Sequence, residues 1–114
     1  MSTEVKTNSR ARILYSLRRL EEKARTPEYE GCPYLAVQIE LTDTEHPASF
    51  VASRVKQELE AVLRREAGHG GADDPEFVGR QLILVFDGTS ARADSIPGRA
   101  TAVAGTLLDA AGVR

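Results

Sequence analysis

The sequence predicts an all-α fold of five helices, and three observations point there. The segment Asp73-Asp74-Pro75-Glu76 is a helix start. It has an acidic cap, a proline suited to the first helical position, and a glutamate where the helix dipole favours negative charge. Residues 47–67, PASFVASRVKQELEAVLRREA, repeat apolar residues at helical spacing over some twenty positions. And no hairpin-forming dipeptide separates two strand-like runs. Against these stand two apolar stretches, 34–41 and 82–87, which by propensity read equally as strands of a βαβα layout. The acidic cap and the turn content favour helices.

The first helix spans 9–25, SRARILYSLRRLEEKAR. Ile13, Leu17, Leu20 and Ala24 form its apolar stripe, which Leu14 widens. Asn8 or Ser9 can cap it, and Pro27 ends it soon after Arg25. Residues 31–41, GCPYLAVQIEL, alternate like a half-buried strand, but Pro33 suits the first turn of a short helix over 33–41. In that helix Tyr34, Val37, Gln38 and Leu41 share one face, and Leu35 and Ile39 the other. The long helix 47–67 buries Val51, Val55, Leu59, Val62 and Leu63. Asp43 or Thr44 is expected to cap it, with His46 packed at its entry and Gly68 at its end. The helix over 75–92 is apolar nearly all round, which implies burial on two sides, by its own core and by a neighbour. The last helix, 97–111, places Ala100, Val103, Ala104, Leu107, Leu108 and Ala111 on one face. Loop signals fall at 26–33, 68–75 and 94–98.

Composition bounds the function. The chain has 114 residues, 41% hydrophobic and 28% charged, as one ordinary soluble domain has. No apolar run reaches the ~20 residues that span a bilayer, and the N-terminus has no secretory h-region. Cys32 is the single cysteine, which excludes an intrachain disulfide and fits a reducing, cytoplasmic location. Residues 1–26 hold seven Lys/Arg against three Glu, and residues 27–114 hold eight against fourteen Asp/Glu. The basic end is sparse, and a self-sufficient nucleic-acid binder shows a denser patch with a recognisable motif.

Catalytic motifs are incomplete. Leu84-Val85-Phe86-Asp87-Gly88-Thr89 is similar to part of the haloacid-dehalogenase signature, but Val85 stands where its nucleophilic aspartate would be, so covalent phosphoryl transfer is excluded. In that segment Asp87 reads as a polar edge, and Gly88 as room for a neighbouring helix. Asp43, Glu45 and His46 form one loop cluster with no matching second set of metal ligands. Cys32 with His46 or His69 lacks an orienting third group. GHGGADD lacks the Lys-Ser/Thr of a phosphate loop. The chain is therefore expected to be no enzyme and to need no cofactor or metal. Tyr34, Gln38, Phe50, Phe77 and Gln81 could instead turn toward one interior, as an aromatic-walled pocket with a few polar groups.

The order of these pieces resembles the C-terminal ligand-binding and dimerisation domain of TetR/AcrR-family transcriptional regulators. The matching points are Gly31-Cys32-Pro33, the Asp43 to Pro47 turn, Asp74-Pro75-Glu76, Gln81-Leu82 with Asp87-Gly88, and Leu107-Leu108, across residues 9–112. The resemblance implies an orthogonal bundle of five helices around a cavity for a small hydrophobic ligand, with Leu14, Leu17, Tyr34, Gln38, Phe50, Phe77 and Gln81 as its wall. It also implies a homodimer whose last two helices make a four-helix bundle with their copies through Leu82, Val85, Phe86, Ala100, Val103, Ala104 and Leu107. Family members begin with a three-helix DNA-binding head, for which MSTEVKTN is too short. The expectation is thus a poorly ordered 1–8, an effector domain over 9–114, and no direct DNA or membrane binding. An interaction module without a pocket, pairing with a full-length TetR-family regulator, is the alternative.

Overall fold

In the computed structural model, residues 8–29, 46–91 and 97–114 are described, and among them all regular structure is helical. Four helices follow in order: α1 (Ser9–Ala24), α2 (Pro47–His69), α3 (Pro75–Ala91) and α4 (Arg99–Ala110). The short helix expected over 33–41, and with it the choice between helix and strand there, lies outside the described residues. The described residues thus account for four of the five expected helices.

Caps fix where the helices begin. The Asn8 carboxamide accepts from the Ala11 N–H at 2.7 Å, and the Asp74 carboxylate accepts from the Phe77 N–H at 3.1 Å. At α2 the cap position is His46; Asp43 and Thr44, expected to cap this helix, lie outside the described residues. The His46 Nδ1 accepts from the Ala48 N–H at 3.0 Å, which an imidazole does with that nitrogen unprotonated. The far end of α2 also differs from expectation. The helix continues through Gly68 to His69 and ends at Gly70, and it is Gly71 that takes the left-handed turn, at φ +101°.

Helices α1 and α3 are the central pair. Each packs on the other and on both α2 and α4, while α2 and α4 do not meet. Between them lies a core of Ile13, Leu17, Leu63, Ala67, Val78, Leu82, Ile83, Phe86, Ala104, Leu108 and Val113. Leu17, Leu82 and Leu108 have no exposed surface at all. The inner face of α2 is Ser49, Ala52, Leu63 and Ala67, so the expected stripe is rotated: Val51 and Val62 point outward. The rotation follows from close packing. A Cβ at Gly79 of α3 would lie 3.2–3.3 Å from the Arg64 backbone and Cβ, a separation that admits only small residues at the crossing.

Polar ties join the helices at their rims. Lys56 of α2 pairs with Asp87 of α3 at 2.7 Å, and Arg10 of α1 pairs with Asp109 of α4 at 2.8 Å. Beyond α1, the Tyr29 hydroxyl donates to the Ser90 carbonyl at 2.5 Å. After α4 the chain turns back, buries Val113 and donates from the Arg114 N–H to the Gly70 carbonyl at 2.9 Å.

Arg12 holds α1 to α2. Its Nε and Nη2 both donate to Glu66 Oε2, at 3.0 and 2.9 Å. The hydrogen bond from Arg12 holds the Glu66 carboxyl below the ordinary glutamate range, against the opposing effect of its partial burial. A carboxyl depressed in the folded state stabilises fully above its unfolded pKa, and that contribution is lost as pH falls through the folded value. Glu66→Gln should therefore lower the melting temperature at pH 7, by an amount equivalent to ~0.5–1 kcal/mol. Below about pH 4, the ordinary carboxylate range, the gap between variant and parent should shrink toward zero. A gap independent of pH in thermal melts would refute this assignment.

Candidate ligand groove and subunit face

Helices α3 and α4 run antiparallel, with the start of α3 beside the end of α4. Between them opens a groove of about 320 Å³ lined by Asp73, Asp74, Phe77, Val78, Gln81, Leu107, Ala110 and Ala111. Phe77 is 55% exposed on its rim, and Gln81 is half-buried one turn along. The groove thus offers an apolar wall, one neutral amide and an acidic edge. Asp74 is already engaged as the α3 cap.

Of the residues expected to line a pocket, Phe77 and Gln81 meet in this groove. Leu14 and Leu17 do not line it: Leu17 is sealed in the core, and Leu14 packs against that core half-buried. Phe50 stands exposed at the start of α2. Tyr34 and Gln38 lie outside the described residues.

The residues expected at a subunit face divide between the core and the surface of the single chain. Leu82, Phe86 and Ala104 are interior, so they offer no surface to a second copy. The reason is the 3.6-residue period. Val78, Leu82 and Phe86 form the stripe that α3 turns to its own core, which leaves Phe77, Gln81, Leu84 and Gly88 on the opposite side. Leu84 is 71% exposed, and a Cβ at Gly88 would meet nothing within 4 Å. Gly88 therefore meets no other helix among the described residues. On α4, Val103 is 51% exposed, with Ala100 and Leu107 half-buried and Ala110 exposed on the same side. Val85 is half-buried, between the two faces of α3. The two helices together present a surface of Phe77, Leu84, Val103 and Leu107 with small residues between, so two of the four large side chains at its centre come from the expected set.

Over this same frame the chain matches a crystal structure of a protein from Streptomyces avermitilis, provisionally assigned as a TetR transcriptional regulator. The TM-score is 0.88 at 52% sequence identity, over 94% of this chain and 61% of that one. The chain resembles a TetR-family regulator. Among the described residues its four helices, without strands, match the TetR-like fold, and the chain spans about three-fifths of the length of this relative. No protein-family profile matches the chain, and no curated protein matches it. Among the described residues no helix is long and apolar enough to cross a membrane.

The TetR-like frame also contains a side chain that the sequence reading passed over. Glu21 of α1 is 6% exposed. Its Oε2 accepts from the Gly98 N–H at 3.0 Å, and its Oε1 accepts from the Thr101 N–H at 2.8 Å and from the Thr101 hydroxyl. Gly98, the cap position of α4, has φ +80° and no side chain to accept a bond. The first turn of α4 is thus capped from another helix, by a carboxylate that also complements its dipole. A signal was present: Glu21 falls at the helical repeat of Ile13 and Leu17, on the stripe that faces inward.

Proposed function

We propose that this chain is the effector domain of a TetR-like transcriptional regulator, non-catalytic, which binds a small hydrophobic ligand and forms a homodimer through α3 and α4. The match to the Streptomyces avermitilis protein over 94% of the chain is the observation that carries this reading. The exposed apolar surface of α3 and α4 supports the dimer, because a lone soluble subunit rarely leaves Phe, Leu and Val together in water. The groove holding Phe77 and Gln81 supports the ligand: its wall is apolar and its one neutral amide can orient a polar group.

Size-exclusion chromatography with light scattering should give a dimer at micromolar concentration; a stable monomer would reject the dimer. A thermal-shift screen of small hydrophobic compounds should give stabilising hits, and Gln81→Ala should weaken their shift. Hits unaffected by Gln81→Ala would remove the groove from the proposal. The filling of the centre by Leu17, Leu82 and Leu108 favours a second reading, an interaction module without a pocket that pairs with a full-length regulator. That reading expects no hits and a mixed dimer instead.

A further inference from the structure

We propose that Glu21 is a positioning residue for the subunit seam, through which the placement of α1 sets the strength of the dimer. The inference rests on the homodimer reading above. Its basis is that one turn of α4 carries two different contacts. On the inner side the Thr101 N–H and hydroxyl, with the Gly98 N–H, are all held by the Glu21 carboxylate. On the outer side of the same turn are Ala100 and the exposed Val103, the first part of the seam. A helix N-terminus leaves its first N–H groups without partners in the helix. Here Gly98 contributes no side-chain cap of its own. Without Glu21 the first turn of α4 loses the acceptor that fixes it, and Val103 loses its fixed position with it. Because the acceptor belongs to α1, a shift of α1 relative to α4 acts on the seam directly. Helix α1 also packs on α2 and α3, so a ligand that displaces α1 reaches the subunit contact through this carboxylate.

The test measures the dimer dissociation constant of the full chain by sedimentation or dilution light scattering. The measurement is made at a temperature where every variant gives a folded helical spectrum. Charge-assisted hydrogen bonds to a helix terminus suggest that Glu21→Ala weakens the dimer about tenfold. Glu21→Gln keeps one oxygen acceptor and should fall between Glu21→Ala and the parent. Thr101→Val, which removes only the hydroxyl contact, should be the mildest. Glu66→Gln is the control: it loosens the α1–α2 tie and lowers the melting temperature, yet should leave the dissociation constant within twofold. If the parent dimerises and Glu21→Ala binds as the parent does, the positioning role is overturned and the homodimer reading stands. An equal weakening in Glu66→Gln and Glu21→Ala would also overturn it, since general loosening would then explain the effect. A monomeric parent overturns both.

Discussion

Leu84→Glu should convert the proposed dimer to a monomer while leaving the melting temperature of the monomer nearly unchanged. Leu84 is 71% exposed in the single chain, so its removal costs the subunit little packing. Glutamate is a good helix former, and at position 84 it sits one turn beyond Arg80. In a two-fold dimer the same residue enters from both sides. Two leucines leave the seam, each worth about 1.5–3 kcal/mol of burial, and two carboxylates would have to be desolvated in their place. The loss is at least about 3 kcal/mol, or more than about a hundredfold in dissociation constant. Light scattering across a dilution series reads it. A dimer of parental strength would place the seam elsewhere than α3 and α4.

Two residues earlier on the same helix the outcome should be the reverse. Leu82→Ala removes a side chain with no exposed surface at the point where α3 meets its neighbours. Loss of burial plus the cavity left behind costs about 3 kcal/mol, roughly 10 °C in melting temperature for a domain of this size. The comparison is cleanest in the Leu84→Glu background, where dimerisation no longer makes the transition concentration-dependent. A drop of only a degree or two would mean that the core around Leu82 collapses into the gap and is not close-packed. The pair would separate the two faces of α3 chemically: one leucine holds the subunit together, and the other belongs to the proposed subunit seam.

The distinction between those leucines marks how far the sequence was legible. The positions of the four described helices, the acidic cap before Pro75, Asn8 as one of two candidate caps, and the resemblance to TetR regulators could all be read from it. These depend on local rules: period, cap chemistry and proline placement. Which side of an almost wholly apolar helix faces inward could not be read. With Val78, Leu82, Ile83, Leu84, Val85 and Phe86 in one segment, periodicity gives no direction, and only the close approach of Gly79 to Arg64 settles the rotation of α3. So Leu82, Phe86 and Ala104 were expected at a seam and lie in the core, whereas Leu84 was not singled out and lies on the surface. His46 was expected to pack at the entry of α2 and instead caps it, because an imidazole nitrogen can do what Asp or Ser does. Glu21 was missed for a different reason: its place on the inward stripe was legible, but its partners, two backbone N–H groups and the Thr101 hydroxyl, lie 77 and 80 residues away, and nothing local in a sequence links groups so far apart.

That separation has a consequence for how the bundle holds together. Helices α2 and α3 are joined by residues 70–74, so their packing closes a very short loop. The Glu21 to Thr101 contact closes one of 80 residues, sixteen times longer, or four doublings, which adds about 2 kcal/mol of chain entropy to its formation. The tie between α1 and α4 is therefore affordable only when the helices between them are already in place. It ties the first helix in the chain to the last, so the start of α4 depends on a carboxylate that only the folded α1 brings to it.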